Sequence, residues 1–280
     1  MDGAKVSRVT MNISISMSAK IVTLTTDFGL KDTYAAEMKA TILGICSNAV
    51  LVDISHEIAK FNVRMGAYML ASAAPYFPKG TIHVAVVDPG VGTQRRPILI
   101  QTEQGFFVGP DNGLLILAAE KQGILCVREL ANPRFMLPRV SNTFHGRDIF
   151  APAAAHLLNQ VKPTEFGSEI CQATKPEFAK VIRRNDTLFG EVLHVDGFGN
   201  IITNISENDM EQCPVEGALI VEFPGHKLKL KLRKAYGDTR SHELLALIGS
   251  HGFLEIAANQ SSAAEKLKVR IGERVRISIT

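Results

Sequence analysis

Four cysteines in 280 residues, Cys46, Cys126, Cys171 and Cys213, stand far apart, with no Cys-x-x-Cys and no nearby histidine pair. That scatter argues against a zinc site and against a disulfide framework, and it fits a reducing cytoplasm. An excess of one charge is also missing: 31 Lys and Arg against 28 Asp and Glu leave a formal net charge of +3. With the basic residues dispersed, a nucleic-acid partner is not expected. No apolar run approaches the roughly 20 residues of a membrane span, so no membrane partner is expected either. Residues 1–20 lack the apolar core of a signal peptide and read as a flexible extension or an alternative start, with Met11 and Met17 inside them. The chain has no Gly-x-x-x-x-Gly-Lys-Ser/Thr loop, no Gly-x-Gly-x-x-Gly, no Gly-x-Ser-x-Gly and no His-Glu-x-x-His. Phosphate-loop, dinucleotide, serine-hydrolase and zincin chemistry therefore lose support.

What is present is a rhythm of strand-like and helix-like segments. Strand patterns at residues 21–25, 49–54 and 81–87 alternate with amphipathic runs at 33–45 and 62–74. This is the order of an α/β domain with a mostly parallel central sheet flanked by helices. Further strands are expected at 98–100 and 105–108, and helices at 113–121 and 148–159. Past Lys175-Pro176 the pattern changes to short strands separated by turn residues, at 190–196, 201–205, 218–223, 227–233 and 274–279. That predicts a smaller C-terminal all-β, barrel-like domain. Residues 227–233 alternate strictly, so the leucines should face a core and the lysines water. The expected division is an extension at 1–20, an α/β catalytic domain at 21–180 and the barrel-like domain at 188–280.

The stretch Val87-Asp88-Pro89-Gly90-Val91-Gly92-Thr93-Gln94-Arg95-Arg96 brings an acid and a base to one glycine-rich turn. The apolar, β-branched run before it reads as a strand buried on both faces, which puts Asp88 at a carboxyl end, where open α/β sheets bind ligands. The alternative is a turn whose aspartate merely bonds nearby amides. Spacing alone leaves Arg95 and Arg96 equivalent. Asp27 also follows a strand, and with Asp32 it offers carboxylates suited to a hydroxyl-rich or cationic ligand. Asp32 reads equally as a helix cap or a first-turn acid. In the loop 142–150, Asp148 is placed as a cap, while His145 beside Gly146 can reach a site and titrate near neutral pH. Asp196-Gly197-Phe198-Gly199-Asn200 offers a ring and an amide, or simply a hairpin turn.

Five motifs in order, Thr25-Thr26-Asp27-Phe28-Gly29, Val87-Asp88-Pro89-Gly90-Val91-Gly92, Gly109-Pro110-Asp111-Asn112-Gly113, Thr143-Phe144-His145-Gly146-Arg147-Asp148 and Phe198-Gly199-Asn200, resemble the S-adenosylmethionine hydroxide adenosyltransferase family. The family is related to fluorinating and chlorinating enzymes that act on the same substrate. The resemblance implies hydrolysis of S-adenosyl-L-methionine to adenosine and L-methionine, with water or hydroxide attacking the ribose C5′ carbon and with no metal or other cofactor. It implies a homotrimer with each active site between the N-terminal domain of one subunit and the β domain of its neighbour. Asp88, Arg95 and His145 fall on the catalytic positions, and Asp27 on the acid that holds the ribose diol. Asp32 matches a methionine-contacting acid, Phe198 and Asn200 the adenine-facing pair, and Ser250 and Glu255 bound a further substrate-contacting segment. Within that segment His251 stands where the halogenating enzymes have arginine. Asp88 stands where they carry tyrosine, and a carboxylate there would repel halide. Two competing readings are a sensor that binds adenosine or S-adenosylmethionine without turnover, and a halogenase.

Overall fold

The computed structural model describes residues 20–211 and 218–279; the expected extension, save Lys20, and Cys213 lie outside the described residues. Six strands form the first sheet: β1 (Ile21–Thr26), β2 (Val50–Ser55), β3 (Ile82–Val86), β4 (Pro97–Thr102), β5 (Phe106–Pro110) and β6 (Ile124–Glu129). Their spatial order is β2-β1-β3-β5-β4-β6. β2, β1, β3 and β5 pair in parallel, as the βαβ rhythm requires. β4 is the exception, antiparallel to both β5 and β6, so the sheet is mixed. Reversal there is permitted because only a short turn around Gln104-Gly105 separates β4 from β5, too few residues for a crossover helix.

Alternating strand residues feed two cores. Val84 and Val86 face one side of β3 with α1 (Tyr34–Ile45) and α4 (Ala151–Leu158); Ala85 faces the other with α2 (Val63–Ala73) and α3 (Ile116–Lys121). On α1 the buried residues Ala35, Met38 and Ile42 recur at three- and four-residue spacing, one stripe of a helix. α2 is started by Asn62, whose side chain accepts the Met65 amide at 2.9 Å.

The second sheet contains β7 (Ile182–Arg184), β8 (Thr187–Val195), β9 (Ile201–Ser206), β10 (Ala218–Phe223), β11 (His226–Arg233), β12 (Leu244–Ile248), β13 (Phe253–Ala258) and β14 (Arg274–Ile279). Pairing of β14 with both β10 and β8 closes seven of these strands into a barrel, with β7 added outside on β8. In β11, Leu230 is buried while Lys227, Lys229 and Lys231 are exposed, as the alternation predicts. Strands β6, β7, β12 and β13 and the short helix α5 (Ala263–Leu267) are absent from the sequence-based expectation. Sheet and barrel share a seam: Tyr68 of α2 stacks on His194 of β8 at 4.7 Å between ring centroids, and Arg64 pairs with Glu191 at 2.6 Å. Cys46, Cys126 and Cys171 are free thiols. Among the described residues no helix is long and apolar enough to cross a membrane.

Candidate active site

Because β1 and β3 are parallel neighbours with Thr26 opposite Val86, their carboxyl ends emerge together. Asp27 directly follows one and Asp88 lies two residues beyond the other. Pro89 to Gly92 then form a turn, closed by Val91 N–H donating to the Asp88 carbonyl at 3.2 Å. The turn returns the chain so that the Arg95 side chain meets Asp88. Its Nε lies 3.0 Å from both carboxylate oxygens, and its Nη2 also bonds Oδ2. The same Nη2 donates to His145 Nδ1 at 2.9 Å. The guanidinium rests over the Phe150 ring, 5.3 Å from its centroid. Both partners of the pair are buried, with side-chain exposures of 9% for Arg95 and 5% for Asp88.

Arg96 turns the other way, its Nε donating to Asp111 Oδ2 at 2.9 Å. Consecutive residues entering β4 point to opposite sides, which separates two arginines that spacing leaves equivalent. Asp111 also accepts the Thr174 amide at 2.6 Å, and Asn112 donates to the Val87 carbonyl at 2.9 Å. The Gly109-Pro110-Asp111-Asn112-Gly113 motif thus braces the strand end that carries Asp88; in the sequence it marks the family without revealing this duty.

A cavity of about 370 Å³ opens at these strand ends, lined by Asp27, Asp32, Asp88, His145 and the aromatic group Phe28, Tyr34 and Phe144. Asp27 is buried, and its Oδ2 accepts the Phe61 amide at 2.8 Å, leaving Oδ1 without a partner among the described residues. Phe61, unmarked in the sequence, holds φ +62° there, an uncommon conformation for a bulky residue. Asp32 is exposed and caps nothing: the helix begins after Thr33, whose hydroxyl bonds Glu37 at 2.6 Å. Its helix-cap reading is therefore corrected.

Phe198, Asn200, Ser250 and Glu255 line a second cavity of about 750 Å³ on the barrel, which shares no lining residue with the first. Phe198 is 83% exposed, whereas Asn200 is buried and donates to Asp196 Oδ2 at 2.9 Å. Glu255, 2% exposed, accepts from the Tyr236 hydroxyl at 2.8 Å and faces His251 Nε2 at 3.2 Å. Within one chain, then, the sequence-predicted residues divide into two groups.

Models of the SAM hydroxide adenosyltransferase N-terminal and C-terminal domains match residues 22–167 and 190–276. The chain belongs to this family. It is similar to the (R)-S-adenosyl-L-methionine hydrolase of Methanocaldococcus jannaschii, 38% identical over 92% of this chain and 95% of the relative. A fluorinase from Actinopolyspora mzabensis is more distant, at 27% identity over 95% of this chain and 99% of that protein. Among solved structures, an uncharacterized conserved protein from Thermotoga maritima has a TM-score of 0.80 at 38% identity, covering 92% of this chain and 99% of that one.

In this member of the family His145 is aimed by two local devices. The helix expected from Asp148 instead starts with a π-turn, Gly146–Phe150, so Asp148 is not its cap. Asp148 is fully buried and accepts the Ser141 amide at 2.8 Å and Arg147 Nε at 2.7 Å, tying down the loop before His145. The second device is Gly92, at φ +75°, where a Cβ would sit 2.3 Å from the Asn142 carbonyl oxygen. Only glycine lets the Asp88 turn lie against the His145 loop this closely. Gly92→Ala is therefore expected to cost about 1–3 kcal/mol of stability. Urea unfolding checks it, with a lowered midpoint at unchanged slope.

Proposed function

We propose that this protein hydrolyses S-adenosyl-L-methionine, with the oxygen of water or hydroxide attacking the ribose C5′ carbon. The observation that carries the reading is the Asp88–Arg95–His145 cluster, beside a cavity that also holds Asp27, in a chain of the hydroxide adenosyltransferase family. The C5′–O bond forms as the C5′–S bond breaks, and its electron pair stays on sulfur. Methionine leaves as a neutral thioether, so no general acid is required, and the proton of the attacking water goes to the protein. Asp27 and Asp32 suit a substrate whose sulfonium is cationic, although Asp88 is paired with Arg95 and Lys60 also lines the cavity.

An arginine only donates, so its bond to Nδ1 makes that atom the acceptor and places the neutral imidazole's proton on Nε2. His145 then offers an N–H to the attacking oxygen and orients it. Asp88, whose Oδ1 accepts a single Arg95 bond, keeps lone pairs for the proton. Arg95 supplies fixed positive charge that favours hydroxide over water. Holding the oxygen in line with the C–S bond contributes the rest of the acceleration.

Burial, and then the Arg95 charge, push the His145 pKa below its ordinary value near 6.5, with Asp88 and Asp148 pulling it partly back. Protonation at Nδ1 would set a cationic ring against the Arg95 N–H. The rate is expected to be level above neutral pH and to fall as pH drops through the lowered pKa. An acid limb that is unchanged in His145→Asn would assign the titration to another group and remove His145 from it.

Asp27 Oδ1 holds the ribose diol and Asp32 the methionine end, while Phe198 and Asn200 of a second subunit face the adenine, and the substrate-contacting segment bounded by Ser250 and Glu255 completes the site. The separation of the two cavities within one chain supports this arrangement and a homotrimer. Light scattering at the mass of a single chain would overturn the trimer. The M. jannaschii relative is named for the (R) form, and a sulfonium sulfur is a pyramidal stereocentre; this chain acts on the same epimer. Chromatography of incubations with each epimer is expected to give adenosine and methionine from (R), and no 5′-halo-adenosine when halide is added. Intact ligand bound tightly at every pH from neutral to alkaline would make the protein a sensor instead.

A further inference from the structure

Beside Asp27 a chain of polar groups that the mechanism does not use runs from the buried Thr26 and His56 out to the exposed Asp53. Thr26 is fully buried, and its Oγ1 lies 2.8 Å from His56 Nδ1 and accepts the Phe28 amide at 3.2 Å. His56, 4% exposed, faces Asp53 Oδ1 with Nε2 at 3.1 Å, and Asp53 Oδ2 accepts Lys39 Nζ at 2.6 Å. With a neutral imidazole, Thr26 receives the Phe28 N–H and donates its hydroxyl proton to Nδ1, which leaves the ring proton on Nε2, close to Asp53 but not hydrogen-bonded to it.

These bonds flank Asp27 on both sides. The Gly29 amide donates to the His56 carbonyl at 2.7 Å, and the Ile58 amide to the Thr26 carbonyl at 3.3 Å. The segment after His56 grips the acid itself, with Lys60 Nζ on the Asp27 carbonyl at 2.5 Å and the Phe61 amide on Oδ2. We infer that His56 is a positioning residue: through Thr26 it fixes the turn that presents the unpartnered Asp27 oxygen to the substrate's vicinal diol. The inference rests on the reading of Asp27 as the diol-binding acid. A satisfied core histidine would need bonds of its own, but not bonds converging on the residues before and after one cavity-lining carboxylate.

The test compares S-adenosyl-L-methionine with its 2′-deoxy analogue, which lacks one hydroxyl of the diol, in wild type, His56→Leu and His56→Asn. Wild type is expected to lose about tenfold or more in kcat/KM on the analogue. His56→Leu should lose about tenfold on the full substrate, mostly in KM, and little further on the analogue. Asn places an acceptor near the Nδ1 position, so His56→Asn should retain most of the diol preference. Equal losses on both substrates, or an Asn variant as impaired as Leu, would overturn the positioning role. Where His56→Leu does not fold, Thr26→Val carries the same expectation, and equal losses on both substrates overturn the role there too. A wild type indifferent to the missing hydroxyl removes the Asp27 reading itself, and the inference with it.

Discussion

Replacing Asp88 by asparagine is expected to lower kcat for adenosine release by about 10²–10⁴ while leaving KM nearly unchanged. The amide keeps the size of the carboxylate and still offers one oxygen to Arg95, so the cavity wall survives. What it loses is the one group in the cluster free to take a proton. Arg95 has none to accept with, and His145, receiving Arg95 Nη2 on Nδ1, carries its proton on the atom left over. His145→Asn is expected to be milder, because an amide nitrogen can still hold the oxygen. Single-turnover release of adenosine, paired with calorimetric binding of substrate to each variant, separates the base from the binding wall. A rate for Asp88→Asn within tenfold of wild type would show that the proton goes elsewhere.

Parts of the architecture with strong periodicity are legible in the sequence alone. The expected strands and helices of residues 21–74 fall within a residue or two of β1, α1, β2 and α2, because β1 and β2 are rich in β-branched residues and each helix buries one apolar stripe. β12, Leu-Leu-Ala-Leu-Ile, and β13, Phe-Leu-Glu-Ile-Ala-Ala, escape the same reasoning. Their leucines and alanines are no more strand-like than helix-like, and all of β13 is buried, so no alternation survives to give a period. β6 fails for the opposite reason. It lies at the sheet edge with Ile124 and Leu125 exposed, and its pattern blurs into the loops. The reversed β4 is a matter of pairing, which composition does not encode.

The site divides in the same way. That Asp88 and Asp27 end strands follows from local sequence, and their meeting follows from β1 and β3 being neighbours. Whether Arg95 or Arg96 reaches Asp88 depends on which side of the chain each leaves, and that is set by Asp111, fifteen residues away. The placement of His145 depends on a π-turn and on Gly92, one an irregularity with no propensity signature and the other a contact between distant loops. Asp148 shows the limit most clearly, since its position suggests a cap and its bonds serve the preceding loop.

Removing the other half of the ion pair should act chiefly on stability. In Arg95→Leu the Asp88 carboxylate, 5% exposed beside Arg95 in the native protein, is left buried without its cation. Breaking a buried pair from one side typically costs about 3–5 kcal/mol. The lost donor to His145 adds about 1 kcal/mol. Taking the charge from Asp88 as well removes the reason for most of that penalty. The double variant Asp88→Asn/Arg95→Leu is therefore expected to be more stable than Arg95→Leu alone, by about 1–3 kcal/mol, while remaining as inactive. Along that edge of the cycle stability returns while activity does not, which a general loss of structure cannot produce. Urea unfolding of the four proteins measures the coupling; strict additivity would mean that the uncompensated charge is not what the arginine neutralises.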